Sequence, residues 1–206
     1  MFCSLVAMAA PAAVAAREPY FPPELGSSYY TCSLDNGGQS HPRELLSGFE
    51  SDWFSTHLQA AGEPSLYSKT HVVKPRIQRV IRFTWLRSFH PPVVVRVTAD
   101  QHNKWRMVAK ELSGAGGYQP GEINRTVTRR LSAKEVADLT ALMSKSPLAD
   151  QSGDCVIGVD GAEWIIERVD ADGYHFIKRW SPEDGPVHDV GLFLVGLTGW
   201  RYKDVY

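Results

Sequence analysis

Residues 77–112 read IQRVIRFTWLRSFHPPVVVRVTADQHNKWRMVAKEL, and this stretch decides the fold. Apolar side chains occupy alternate positions over 77–89, which is typical of a long strand with one buried face. Two prolines then turn the chain into a second strand over 93–99, which is rich in β-branched residues. A polar run separates it from a third strand over 105–112. Consecutive strands joined by short turns predict an antiparallel meander.

The rest of the chain adds a fourth strand, a hairpin and helices to this meander. The expected elements are a strand at 123–131, a hairpin at 162–169 and 174–181, and helices at 49–61, from 132 to before 147, and at 187–197. The second helix is the best marked, because Ser132 and Glu135 form a capping-box pattern and Pro147 ends it. The sequence therefore predicts an α+β fold, in which a meander and a C-terminal hairpin form an antiparallel sheet with a few helices packed on one face.

Composition indicates a globular chain with three parts. Of its 206 residues, 43% are hydrophobic and 22% are charged, and the net charge is −1. This balance gives no overall attraction to nucleic acid, so no nucleic-acid partner is expected. We expect a signal peptide over 1–16, an extended lead-in rich in proline, glycine and serine over 17–47, and a single α+β domain over 48–206.

The N-terminal residues predict export to the periplasm or the exterior. An apolar run ends in the small residues Ala13-Val14-Ala15, as at a signal-peptide cleavage site, although no basic residue precedes Arg17. The alternative is an alanine-rich N-terminus without that function. The sequence contains no run of 18 consecutive apolar residues, so no transmembrane helix is expected. Cys32 and Cys155 could form a disulfide in an oxidising compartment, or remain two separate thiols.

The C-terminal hairpin carries the candidate site, and its register decides which side chains meet. With a three-residue loop, Glu167 lies opposite Ile177, and the apolar face holds Trp164, Ile166, Phe176 and Trp180. A two-residue Asp172-Gly173 turn instead places Glu167 opposite Lys178. The first register is favoured because it keeps the aromatic residues together.

In that register the polar face gathers acid–base groups. It carries Glu163, Glu167, His175 and Arg179. Glu167 or Asp160 could act as a base and His175 as a proton shuttle, while Arg179 could hold an anion. The alternative is a solvated face with weak cross-strand ion pairs. Asp160, Gly116 and Gly117 complete the candidate binding residues.

Other motifs are weaker. The loop from Gly114 to Gly117 follows a strand, but a strand rather than a helix comes after it, so it predicts a flexible surface loop and not a phosphate cradle. The seven histidines lack the spacing of a metal site, and no serine-hydrolase motif is present. No metal or cofactor is therefore expected.

The hairpin resembles a family of exported bacterial proteins through two patterns. DGxxWxxE begins at Asp160 and YHxxxRWSP begins at Tyr174. Further similar segments are Glu63-Pro64-Ser65-Leu66, the strand from Arg82-Phe83 to Phe89-His90-Pro91, and the loop 114–121. The resemblance covers most of residues 50–182 and implies an envelope or secreted location, with no activity attached to it.

These observations favour a binding protein over an enzyme. The expected function is non-enzymatic binding of an envelope protein or a small ligand through the polar hairpin face and the glycine-rich loop. One alternative is a hydrolase-like enzyme that uses Glu167, His175 and Arg179. Another is an inhibitor or an immunity-type protein. A shared concave pocket around those three side chains would favour the enzyme.

Overall fold

A computed structural model describes residues 19–32, 41–67, 77–145, 155–156 and 158–206. Its strands are β1 (Tyr29–Cys32), β2 (His41–Glu44), β3 (Ile77–Arg87), β4 (Val93–Asp100), β5 (Trp105–Leu112), β6 (Ile123–Arg130), β7 (Ala162–Asp170) and β8 (Gly173–Trp180). Its helices are α1 (Glu24–Ser27), α2 (Gly48–Ala60), α3 (Ala133–Lys145) and α4 (Gly185–Gly196). None of the helices in these ranges has the length and apolar character needed to cross a membrane.

The main sheet is antiparallel, with six strands in the order β6-β5-β4-β3-β7-β8. Strands β3 to β6 follow one another as a meander, as predicted. The hairpin β7-β8 joins the other side of β3, where Arg82 pairs with Glu167 and Phe83 with Ile166. Strands β1 and β2 form a separate two-stranded sheet. The predicted α+β class with a meander and a C-terminal hairpin is confirmed.

Helix α3 begins where the capping-box pattern predicts. The backbone N–H of Glu135 donates to the Ser132 hydroxyl at 3.3 Å, and the backbone N–H of Ser132 donates to the Glu135 carboxylate at 2.7 Å. Helix α2 has the same device, formed by Ser47 and Glu50. Each pair satisfies backbone donors that a helix N-terminus would otherwise leave without partners.

Helices cover both faces of the sheet, and the expectation that they lie on one face is wrong. Helices α3 and α4 cover one face of the sheet, which we call the α4 face. There, Leu139 of α3 and Leu194 of α4 pack in one cluster with Trp85 and Trp164. Helix α2 covers the opposite face, which we call the α2 face. There, Phe54 of α2 packs in another cluster with β-strand side chains that include Ile165 and Phe176. The reason is that the central strands are apolar on both sides, and residues 93–95 are all buried valines.

The segment expected as an extended lead-in, 17–47, contributes to the second cluster. Its described residues form α1, β1 and β2, and Phe21 and Leu25 are buried beside Phe54. The Phe21 ring lies edge-on to that of Phe176, with centroids 5.6 Å apart. These residues are therefore packed into the same folded unit as the domain expected over 48–206. The expected signal peptide, 1–16, lies outside the described residues.

Candidate functional site

The hairpin turn differs from both predicted registers. Asp170 pairs with Gly173, so the loop is the two-residue Ala171-Asp172, and Glu167 lies opposite Phe176. Gly173 has a φ of +109°, a conformation open to glycine but strained for other residues. The favoured register was chosen because it put the aromatic side chains on one face, but this sheet buries aromatic side chains on both faces. The criterion that selected the register therefore could not discriminate.

The new register separates the predicted acid–base groups. Residues directly opposite each other share a face, so Glu163 and Glu167 lie on the α2 face with Phe176. The opposite, α4 face carries His175 and Arg179. Trp180 also lies on the α2 face, opposite Glu163, rather than beside Trp164 as predicted. Asp160 is exposed just before β7.

Glu167 is held in a buried ion pair. Its exposure is 0%, and Nε and Nη2 of Arg82 each donate to a different carboxylate oxygen at 2.7 Å. The Tyr174 hydroxyl donates a third hydrogen bond at 3.0 Å. Burial raises the pKa of the Glu167 carboxyl, and the Arg82 charge opposes that rise. With three donors on its carboxylate and no exposure, Glu167 stabilises the interior instead of facing a ligand.

A second buried carboxylate, Glu63, lies in the same polar layer. It accepts from Nε of Arg96 at 2.6 Å and from Nζ of Lys110 at 2.9 Å. Arg96 is the cross-strand partner of Arg82, so two arginines lie side by side, each with its own carboxylate. Burial acts to raise the pKa of Glu63, but Arg96 and Lys110 lower it overall. Sequence reasoning missed Glu63 as a site because it follows a helix end, where a charged residue usually faces solvent.

His175 and Arg179 make local contacts on the α4 face. Nε2 of His175 lies 3.9 Å from Oδ1 of Asp170, and the Arg168 guanidinium lies 3.4 Å from the other carboxylate oxygen. Burial lowers the pKa of His175, and the Arg168 charge lowers it further. Arg179 donates to the carbonyl of Lys178 at 2.7 Å. These side chains therefore do not share a cavity with Glu167.

The glycine-rich loop is packed against the sheet. A Cβ on Gly116 would lie 2.5 Å from backbone atoms of β3, and one on Gly117 would lie 2.9 Å from the Ser88 carbonyl. The N–H groups of both glycines donate to backbone carbonyls, at 3.0 and 3.1 Å. The Trp53 indole donates to the Gly116 carbonyl at 2.6 Å. The backbone donors that an anion cradle would need are thus occupied, and the loop serves close packing.

A groove beside the hairpin is the strongest candidate binding site, and we call it the aromatic groove. Its volume is about 570 Å³, and it lies between the two-stranded sheet, the start of α2 and the end of β8. Its principal lining side chains are Tyr29, Tyr30, Phe49, Glu50, Lys178 and Trp180. Two rings are open to solvent, since Tyr29 is 62% exposed and Phe49 is 76% exposed. Exposed rings that cluster in one groove, unlike exposed rings that occur singly, are typical of an interaction surface.

The charged side chains of the aromatic groove pair with each other. The ammonium of Lys178 contacts the Glu50 carboxylate, which also accepts from the Ser47 N–H at 2.9 Å and the Ser47 hydroxyl at 2.8 Å. Burial acts to raise the pKa of Glu50, but the Lys178 charge and the hydrogen bonds from Lys178 and Ser47 together lower it overall. The groove therefore offers ring faces over an ion pair that is already satisfied.

A disulfide joins the two walls of the aromatic groove. Cys32, which ends β1, is bonded to Cys155, and their Cα atoms are 5.4 Å apart. Val156 follows Cys155, is 59% exposed, and lines the groove together with Gly158. Gly158 in turn lies against the Trp180 indole, where a Cβ would have no room. The cross-link thus fixes the tyrosine wall of the groove, formed by Tyr29 and Tyr30, relative to the tryptophan wall, formed by Trp180.

The tyrosine wall of this groove was missed by sequence reasoning. Tyr29 and Tyr30 lie in the segment interpreted as an extended lead-in, and Phe49 was taken only as the start of a helix. The available signal was the pair of tyrosines three and two residues before Cys32. If Cys32 is taken to bond to Cys155, which lies shortly before the hairpin, the tyrosine pair is placed close to Trp180.

Within the described ranges, no three His, Cys, Asp or Glu side chains come together as a metal site requires. The chain was also compared with known proteins. No protein-family model and no curated protein matches it.

Proposed function

We propose that this protein is an exported, non-enzymatic binding protein that holds an extended peptide segment of a partner, rich in proline, in the aromatic groove. One observation carries the proposal: exposed Tyr29 and Phe49 share a groove with Tyr30, Pro42 and Trp180. Grooves lined by aromatic side chains receive extended proline-rich peptides, whose preformed backbone loses little entropy on binding.

The polar groups of the groove favour an apolar peptide over a sugar. A hydroxyl-rich ligand needs side chains with free donors and acceptors to replace its bonds to water. Glu50 and Lys178 already bond to each other and to Ser47. The apolar part of the lining is formed largely by the rings of Tyr29, Phe49 and Trp180. The flat ring of proline packs well against such ring surfaces.

Export is supported by two features of the chain. The apolar N-terminal run with a small-residue cleavage pattern is typical of a signal peptide. The disulfide between Cys32 and Cys155 belongs to the kind of cross-link that persists in oxidising compartments such as the periplasm. Both support a periplasmic or secreted protein whose partner is met outside the cytoplasm.

Calorimetric titration of the disulfide-bonded chain with a short proline-rich peptide tests the proposal. We expect saturable binding, and we expect Phe49→Ala to weaken it on the order of tenfold, since aromatic anchors dominate such contacts. Phe89→Ala is the matched control, because Phe89 is also an exposed ring, at 56%, but does not line the groove.

Two results would contradict the proposal. The first is binding that Phe49→Ala leaves unchanged, which would place the ligand elsewhere. The second is binding of a chitooligosaccharide in preference to the peptide. That result would assign the groove to glycans, and Glu50→Gln would then be expected to reduce binding as strongly as Phe49→Ala.

A further inference from the structure

A second groove lies on the α2 face over β4, β5 and β6, with a volume of about 410 Å³. We call it the cationic groove. Its charged lining consists of Arg96, Asp100, Lys104, Arg106 and Arg130. None of these residues lines the aromatic groove. The two grooves are therefore separate sites, and this inference does not depend on the proposed peptide binding.

Two arginines of the cationic groove face each other across neighbouring strands. Arg106 on β5 and Arg130 on β6 are direct cross-strand partners, and both are exposed. Like charges in directly opposite positions destabilise a sheet. Among the residues that the structure describes, no carboxylate forms an ion pair with Arg106, Arg130 or Lys104. The arrangement therefore keeps positive charge concentrated at one point of the sheet.

In a second pair of facing arginines in this sheet, the positive charges are compensated by carboxylates. Arg82 and Arg96 are also direct cross-strand partners. There, each guanidinium has its own buried carboxylate, Glu167 for Arg82 and Glu63 for Arg96. The pair at Arg106 and Arg130 lacks this arrangement within the described ranges. A bound anion would supply the missing negative charge.

The remaining polar groups of the groove suit an oxyanion. Oδ1 of Asp100 accepts from the backbone N–H groups of His102 and Lys104, at 2.8 and 2.9 Å, so this carboxylate is engaged in its own turn. The Thr98 hydroxyl lies directly across from Arg106, is buried, and has no hydrogen-bond partner in the described part of the chain. A hydroxyl donor next to several cations matches the acceptors of a phosphate or sulfate group.

We propose that the cationic groove binds a compact ligand that carries phosphate or sulfate groups. The lining argues against single-stranded nucleic acid, which uses exposed rings for base stacking. The ring in this groove is Trp105, which is buried and donates its indole N–H to Asn103 at 2.8 Å. A compact ligand with more than one anionic group can reach both Arg106 and Arg130.

The test is calorimetric titration of the full chain with tripolyphosphate at low ionic strength. We expect saturable binding that weakens as salt is added, because the contacts are solvent-accessible charges. Arg106→Gln and Arg130→Gln are each expected to weaken it on the order of tenfold. Arg201→Gln is the matched control, since Arg201 is an exposed arginine outside the groove, and it should bind as the unsubstituted chain does.

Thermal unfolding without ligand gives an independent readout. Removal of one of two facing charges should leave the unfolding temperature unchanged or raise it, whereas a purely structural arginine would lower it. The proposal is overturned if both variants bind tripolyphosphate like the unsubstituted chain. It is also overturned if a single-stranded oligonucleotide or vesicles with anionic headgroups bind while tripolyphosphate does not.

Discussion

At the scale of single residues, the most consequential contact is the pair formed by Arg82 and Glu167. Both side chains are fully buried between the sheet and the α2 layer, and the guanidinium reaches the carboxylate with two parallel hydrogen bonds. Nη1 of Arg82 donates to the Pro64 carbonyl at 2.6 Å, which fixes the segment that follows α2. The pair thus connects two strands and a loop from inside the fold.

Loss of one partner should cost more than loss of both. Glu167→Leu leaves a buried guanidinium without its carboxylate, and we expect the free energy of unfolding to fall by about 3 to 5 kcal/mol. The double variant Arg82→Met with Glu167→Leu removes both charges and should recover much of that loss. Urea denaturation measures both values. Equal destabilisation in the single and double variants would contradict this account.

Sequence could identify Glu167 as a special residue but could not place it. Alternation put Glu167 on a polar face, and the partner that makes its burial tolerable, Arg82, is 85 positions away. A pattern within one hairpin carries no information about a charge on another strand. For the same reason His175 was expected beside Glu167, although the real register turns the two to opposite faces.

At the scale of elements, helix α3 shows how one side chain can secure two helices. Arg129 on β6 donates to both carboxylate oxygens of Glu135, at 2.7 and 3.0 Å, and so holds the first turn of α3. It also donates to the carbonyl of Leu197, at the C-terminal end of α4, at 2.9 Å. The arrangement places a carboxylate at a helix start and a cation at a helix end, where each is favoured.

Glu135 predicts a specific pH dependence of stability. Hydrogen bonds from Arg129 and from the Ser132 N–H lower the pKa of Glu135 to about 2, from an ordinary value of 4.5. A carboxyl with a lowered pKa stabilises the fold above its unfolded-state pKa, and that contribution is lost as the pH falls from there through 2. Glu135→Gln should therefore lower the free energy of unfolding by about 1 kcal/mol at neutral pH, and the difference should vanish near pH 2.

Thermal unfolding over a pH series measures this effect. Asp138→Asn is the control, because Asp138 forms an exposed pair with Lys134, and exposed ion pairs contribute little to stability. A difference between Glu135→Gln and the unsubstituted chain that stays constant down to pH 2 would show that the charge of Glu135 is not the cause.

The elements themselves were largely predictable, while the way they stack was not. Strands β3 to β6 and helix α3 follow from alternation, turn residues and a capping box, all of which are local signals. Whether helices cover one face of the sheet or both depends on the whole sheet, so these local signals do not show it. Val93, Val94 and Val95 form a continuous apolar run, which indicates a strand buried on both sides and could have been recognised.

At the scale of the whole molecule, the cross-link between Cys32 and Cys155 ties the N-terminal sheet to the start of the hairpin. The two cysteines are 123 residues apart, so the bond closes a loop that contains the whole meander. Such a long loop gives a large entropic restriction of the unfolded chain. The same bond connects the two walls of the aromatic groove.

Reduction of this disulfide should lower both stability and peptide binding. In the chain-entropy model we expect the free energy of unfolding to fall by about 4 to 5 kcal/mol. Thermal unfolding with and without reductant measures the change, and the double variant Cys32→Ser with Cys155→Ser should show no response to reductant. An unsubstituted chain that unfolds at the same temperature in both conditions would contradict the prediction.

Strand β6 pairs with β5 on one side only within the described part of the chain, so its other side is a free edge. An unpaired edge invites a second molecule to add its own strand and to continue the sheet. Arg125, Arg129 and Arg130 all lie along this strand. Glu111 pairs with Arg125 and Glu135 with Arg129, whereas no described carboxylate pairs with Arg130. Charged side chains of this kind on an edge strand oppose its pairing with the same edge of a second copy.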